Sequence, residues 1–513
     1  MAVFSNTSLG TQNRVLRGVP DDRVHRPPGG DHAAAIKVAG VLGAGLLAGF
    51  WGIAVATQNI NAVFLCVALL ASIAIAFDFR IGVVLLIILM PFSASDLFPH
   101  EMLGITGLNP LNLLLLATLL SWLLNSLAAR RGIGLARFVP APLLWLYIAP
   151  IVAAGVLGTN HLGEISMALL RRYVDMEAVT SEFGYLQFAL VKPMLLVVFA
   201  LLVAAAVSRS EKPERFMAPI LVSIWIMAGM AIGYYLLSGA SLEDLSASTA
   251  RGFFGPLGLH ANDLGRVYAT AFALCLFTWA ATDNLKLSVP LLATMALVVA
   301  ALVLTFSRGA FLGFLLVCVL FLMSRRDAKS LFILGCLGIG LTLVGGVLLA
   351  RLQMGFGMDA NTISAGRING IWLPLLPEVW RNPVFGNGLS SILWSDAIRQ
   401  GIVQPVSHPH SAYLRTLLDM GLVGLTLLCA YFAHVWWRLR KLGRDPGTNP
   451  TLRGFYAGGA AGLVSFLLAG FAGSALTPVP EQSFLWLAIG MMYGQYARKR
   501  EAEAVHAHSV RHK

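Results

Sequence analysis

Polar residues along this chain come in short clusters, and between them lie apolar runs that show no polar face. Val38–Ala56, Asn61–Phe77 and Leu287–Phe306 contain no charged residue at all. Each approaches or exceeds the roughly eighteen apolar residues that carry a helix across a bilayer core. A helix packed on a soluble core would keep one polar stripe. The pattern predicts fourteen helices, beginning near residues 34, 60, 80, 110, 140, 185, 216, 264, 287, 309, 331, 413, 454 and 483. The segments near 80–93 and 483–496 are short, so the expected fold is all-α, polytopic and membrane-integral, with about 12–14 transmembrane helices. One long interruption, Arg351–His410, has a different pattern. Ile368, Ile371, Trp372, Leu375 and Leu376 form a helical stripe there, opened by Arg367 and ended by Asn382-Pro383 and Gly386-Asn387-Gly388. Such a helix is expected to lie along the membrane surface, and a segment this long between packed elements is usually functional.

Composition agrees with that pattern. The chain has 513 residues, 57% hydrophobic and 12% charged, with a mean hydropathy of +0.75. Soluble domains carry about 25% charged residues. The net charge of +12 reads as topology, because Lys and Arg favour cytoplasmic loops. With the N-terminal tail inside, Arg80, the Arg130–Arg131–Arg137 group, Lys212, Arg215, Lys286, Arg325, Arg326, Lys329 and the 438–453 cluster all fall inside. Both termini are then cytoplasmic, and Arg351–His410 is periplasmic. The expected organisation is a disordered tail (1–32), N-terminal helices (33–250), central helices (251–350), the periplasmic segment (351–410), C-terminal helices (411–497) and a basic tail (498–513). The apolar run after residue 32 is too long for a signal-peptide core, so it is expected to stay as a first span. The five cysteines all lie in apolar runs, which predicts no disulfide framework. No His/Cys or Asp cluster on the outer face calls for a metal, nothing calls for a cofactor, and no nucleic acid is expected as partner.

Arginines on the outer face break the charge rule, so something else must favour them. They are Arg171, Arg172, Arg251, Arg266, Arg308, Arg351, Arg367, Arg381 and Arg399. Lipid headgroups suffice for Arg171, Arg172 and Arg351. The planar guanidinium fork suits phosphate in a partly dry site better than Lys does. On this topology three helices start at the outer face. The eighth follows Arg251 in RGFFGPLGLHANDLGR, with Asn262 or Asp263 as cap and Arg266 in its first turn. The tenth starts at SRGAFLG, with Ser307 as cap, Arg308 beside it, and Gly309 and Gly313 for close approach. The twelfth starts at SHPHSAYLRTLLDMG, with Pro409 suited to the first helical position and His410 next. Three such starts make a plausible pyrophosphate site. Arg415 and Asp419, four apart, can pair on one helix face.

These residues resemble the O-antigen ligase and O-antigen/exopolysaccharide polymerase superfamily, over roughly Arg251 to Gly424. The shared features are the Gly252–Asn262–Arg266 region, the SRGAFLG turn, Arg367 opening an outer amphipathic helix, and His410 followed by ten residues and then Gly421. Arg367 is followed by Ile371 where the family often has Leu, and twelve spans are more usual. The resemblance implies a glycosyltransferase of the inner membrane, using an undecaprenyl-pyrophosphate-linked glycan as donor and a glycan or lipid A-core as acceptor at the periplasmic face. His410 is then the catalytic base, with Arg308, Arg367, Arg266 and Arg251 on the donor pyrophosphate. Ser307, Asn262, His408 and Gly421 support them, and direct attack inverts the anomeric centre. Ligase and repeat-unit polymerase share this donor chemistry, and the ligase reading is slightly favoured. A transporter or flippase of lipid-linked oligosaccharide is the more distant alternative. Transporters place ionisable groups at mid-depth, where these spans hold little besides Lys192.

Overall fold

The computed structural model describes residues 60–96, 99, 101–102, 105–107, 109–128, 139–172, 179–246, 252–353, 359–473 and 475–511. Met1–Cys66 and Val67–Lys513 form two compact units, and the site lies in the second. The expected tail 1–32, the span near 34, and Arg251 lie outside the described residues.

Thirteen of the fourteen expected membrane helices fall on described residues, and all are helical. They are α1 (Ile60–Phe77), α2 (Phe79–Leu89), α3 (Pro110–Ala128), α4 (Ala149–Gly158), α5 (Lys192–Ser208), α6 (Met217–Ser238), α7 (Ala261–Ala281), α8 (Leu285–Leu304), α9 (Arg308–Ser324) and α10 (Ala328–Gln353), then, after an outer helix α11 (Leu373–Arg381), α12 (Ala412–Arg444), α13 (Pro450–Ala469) and α14 (Ser483–Arg511). Among the described residues, eight stretches are long and apolar enough to cross a membrane by length and composition, and four more apolar helices are shorter. The described residues are all-α apart from one two-residue ladder, Glu101–Met102 against Ile105–Thr106. The basic tail expected at 498–513 is no separate segment, since α14 continues to Arg511.

Polar residues at the edges of the apolar runs set the helix starts. Asp78, Asn284, Ser307, Ser411 and Asn449 each accept a backbone N–H of the first turn beyond them. Prolines inside the long runs leave another mark. Pro150, Pro193 and Pro374 each follow directly on a π-helical turn, at Leu144–Ile148, Gln187–Val191 and Ile368–Trp372. The wider turn relieves the clash between a proline ring and the carbonyl four residues back.

In lipid, helices associate through close packing rather than apolar burial, which favours small residues at crossings. Helix α7 is the most enclosed: 89% of its apolar window is buried. Gly454 and Gly458 of α13 lie flat on it, since a Cβ at either would stand 2.4 Å from the carbonyl oxygens of Phe277 and Ala273. Gly490 and Gly494 of α14 do the same against Ala200 and Ala204 of α5. Tyr147, Phe432 and Trp486 pack edge to face, and the Tyr147 hydroxyl donates to the Leu476 carbonyl (2.8 Å).

The outer segment starts later than expected, because Arg351 belongs to α10. Its helix begins after Arg367 and ends at Arg381, immediately before Asn382-Pro383. The buried stripe runs through Leu375 and Val379, while Leu376 points away and is exposed. The π turn rotates the face by adding a residue, which the 3.6 periodicity did not allow for.

Candidate active site

The segment after α11 does not float over the bundle; it is threaded into it. Helix α12 breaks at Gly421 (φ 61°, ψ −165°), a conformation open essentially to glycine alone. The break frees backbone groups, and the Pro383–Gly388 stretch takes them up. Leu422 and Val423 N–H donate to the carbonyls of Pro383 and Val384, while Asn387 and Gly388 N–H donate to those of Leu418 and Asp419. A Cβ on Gly421 would lie 2.4 Å from the Val384 carbonyl oxygen, and one on Gly386 2.4 Å from the Met420 nitrogen. Gly421 thus holds the outer segment to α12, a clear reason for a glycine eleven positions after His410.

Two of the three expected helix starts, those of α7 and α9, meet directly. Ser307 Oγ caps α9 and also donates to Asn262 Oδ1 of α7 (2.8 Å). Gly265 lets the two helices meet, since its Cβ would fall 2.5 Å from that of Ala310. Gly313 approaches Ser465 of α13, whereas Gly309 faces open space. Two caps differ from expectation. His260 caps α7 through Nδ1, which accepts from Asn262 N–H (3.2 Å), and this leaves the Asn262 side chain for Ser307. Ser411 caps α12, so Pro409 and His410 precede that helix rather than opening it. Proline fits a first helical turn by rule, but here the serine two residues on supplies an oxygen to Leu414 N–H.

The loop before α12 is pinned to the outer helix, where Trp372 Nε1 donates to the Pro409 carbonyl (2.9 Å). His408 and His410 lie ring to ring, centroids 4.3 Å apart and tilted 63°. Burial, and then the nearby His410 and the guanidiniums of Arg415, Arg266 and Arg367, push His408 down to about 3. It is a neutral imidazole at ordinary pH and a poor base. Arg308 reaches the outer segment too, donating from Nη2 to the Ile363 carbonyl (3.2 Å).

Backbone strain, invisible in the sequence, concentrates here. Among the described residues, four non-glycine positions have positive φ: Phe306 (44°), Ala365 (58°), Ser390 (62°) and His410 (55°). Phe306 directly precedes Ser307–Arg308, Ala365 lies two residues before Arg367, and the fourth is His410 itself. Each such residue costs on the order of 1–3 kcal/mol and persists only where its surroundings over-determine it, which is typical of functional sites.

The other outer arginines are engaged with carboxylates. Arg266 is 8% exposed and pairs with Asp263 of its own helix and with Glu481, 3.1 Å away in the turn before α14. It was expected on the donor, but its position braces α7 against that turn. Asp263, three residues earlier, was a legible partner; Glu481, over two hundred residues later, was not. Arg381 bridges Glu378 (3.0 Å) and Asp396, and Arg399 bridges Asp396 and Glu164 (3.4 Å). Buried Glu378 also accepts the Ala397 N–H (3.1 Å). This network surrounds a cavity of about 140 Å³ that Trp394 and Ser391 also line. Arg415 lies 3.6 Å from Asp419, whose Oδ1 accepts both the N–H and the hydroxyl of Ser391. The expected Arg415–Asp419 pair is there, with the carboxylate held chiefly by the outer segment.

The model of the family described as O-Antigen ligase matches residues 293–429. Those residues are a domain of the O-antigen ligase superfamily. The matched stretch contains Ser307, Arg308, Arg367, His408, His410 and Gly421, while Asn262, Arg266 and Glu481 reach the same spot from outside it. No curated protein matches the chain. A glycosyltransferase-like enzyme of ligase or polymerase type, taking a lipid-linked glycan donor and a glycan or lipid acceptor in a bacterial membrane, is the general activity this domain carries.

Proposed function

We propose that the protein transfers a glycan from an undecaprenyl-pyrophosphate donor to an acceptor hydroxyl at the periplasmic face, as an O-antigen ligase does. The observation that carries this reading is a chain of contacts: Ser307 of α9 meets Asn262 of α7, Arg308 meets the Ile363 carbonyl, and Trp372 meets the Pro409 carbonyl beside the strained His410. His410 takes the proton of the acceptor hydroxyl as its oxygen attacks the anomeric carbon. The bond from that carbon to the pyrophosphate breaks, undecaprenyl pyrophosphate leaves, and the anomeric centre inverts. Arg308, Arg367 and the N–H groups at the start of α9 meet the charge on the leaving pyrophosphate. His408, kept neutral, orients His410, and Arg266, tied to two carboxylates, braces the site. The guanidiniums supply the charge compensation that a metal ion supplies elsewhere.

Donor binding and single-turnover transfer by purified variants test the division of labour. Arg308→Ala should lose donor binding, whereas His410→Ala should bind donor and fail to transfer. Equal loss of donor binding in both would overturn it. Full activity of His410→Gln would remove His410 as base. Orientation is tested by reporters, cytoplasmic after Lys329 and Arg444 and periplasmic near Asn387; an outer signal at Lys329 reverses the scheme. A deletion strain that accumulates long lipid-linked chains supports the ligase reading. One that makes only single repeats assigns the polymerase.

A further inference from the structure

Beyond its break at Gly421, helix α12 runs on to Arg444, so at about 1.5 Å per residue its far end lies roughly 35 Å from the break. A second cavity opens at that end, about 710 Å³, between the last turns of α12 and the 496–503 stretch of α14. Arg438, Arg440, Lys441, Arg444, Lys499 and Arg500 line it, against two carboxylates, Asp445 and Glu503. Lys499 pairs with Asp445. The cavity keeps a clear excess of positive charge. A preference of cations for cytoplasmic loops explains why they lie on this side, but not why they surround a cavity.

Nor are these cations loose. The Arg438 guanidinium stacks 4.5 Å from the Tyr496 ring centroid, and the Tyr496 hydroxyl donates to the Arg438 carbonyl (3.2 Å). Arg440 lies 4.5 Å from the Trp436 ring, and Lys441 5.5 Å from that of Trp437. Stacked cations lose less freedom on gripping an anion than free ones. The Trp437 ring is 54% exposed on a helix that continues into the apolar layer. An indole there suits the boundary between headgroups and acyl chains.

We propose that this cavity binds the phosphodiester headgroup of an anionic phospholipid of the inner leaflet. The cations take the phosphate, and the Trp437 ring lies against the upper acyl chain. The inference needs the membrane setting of the chain but not the transfer reaction at the other end.

The test uses the full chain in detergent, with lipid retention read by native mass spectrometry. Cardiolipin, phosphatidylglycerol, phosphatidylcholine and glycerol 3-phosphate are added separately. Both anionic lipids should be retained about tenfold or more over phosphatidylcholine. The triple variant Arg440→Gln/Lys441→Gln/Arg444→Gln should abolish that preference. Lys212→Gln/Lys286→Gln/Arg326→Gln, with as many exposed charges removed elsewhere, should keep it. Arg440→Gln alone, a milder change should the triple variant not fold, should weaken it severalfold. Equal retention of phosphatidylcholine by the unaltered chain, unchanged retention by Arg440→Gln, or equal loss in the control variant would overturn the site. Glycerol 3-phosphate binding as tightly as lipid would assign a soluble phosphate ester instead.

Discussion

Arg308 and Arg367 on one hand, and Arg381 and Arg399 on the other, all lie at or near helix ends and, on the expected topology, all break the charge rule. The structure separates them by surroundings. Arg381 and Arg399 are interleaved with Glu378, Asp396 and Glu164, a network that holds the outer segment in shape. Arg308 and Arg367 border strained backbone at Phe306 and Ala365. Carboxylates laced among guanidiniums neutralise them. Strain held beside guanidiniums is what a preorganised charge site requires. The comparison teaches that an arginine at a helix end needs an anion, which the protein itself can supply.

The strongest way to break this division is to cross the readouts. Arg367→Ala should lower transfer by about 10²–10³-fold while leaving thermal stability near that of the parent, as for removal of one preorganised donor. Arg381→Ala should do the reverse, lowering the melting temperature and leaving transfer within severalfold. Comparable loss of transfer in both variants would merge the two groups again.

Gly421→Ala tests whether the network region is anchored through the α12 break. The backbone conformation alone should cost on the order of 1–3 kcal/mol, and the new Cβ meets Val384. Proteolysis within 383–388 should accelerate sharply, and an unchanged cleavage rate would show that the loop holds without the break. A smaller loss is expected for Glu378→Gln, which keeps the size but weakens the bond to Arg381. About 1–2 kcal/mol should go from stability, read by thermal unfolding, with donor affinity unchanged.

A further test concerns pH. His408 is pushed down to about 3 in the folded protein from about 6.5 in an unfolded chain. Its contribution to stability is therefore full above about 6.5 and is lost as pH falls towards 3, since only the unfolded chain takes the proton in that window. The melting temperature should decline over this range, and His408→Asn should shallow the decline. An identical acid slope in that variant would place the charged cluster away from His408.

Much was legible before any coordinates. Membrane helices announce themselves because lipid tolerates no polar face, so uncharged length alone marked every described span. Ser307 as a cap, the end of α11 at Asn382-Pro383 and the Arg415–Asp419 pair were readable because they are contacts between near neighbours in sequence. The partner of an arginine, the loop that fills a break and the strain on a backbone depend on residues far away. Glu481 meets Arg266, Glu164 meets Arg399, and Pro383 and Val384 fill the gap at Gly421 only because the fold brings them together. The sequence by itself determined the membrane class, the helices and the candidate histidine. Which arginines are neutralised and which border the strained turns was decided by tertiary structure, because charge compensation is set by distance in space and not along the chain.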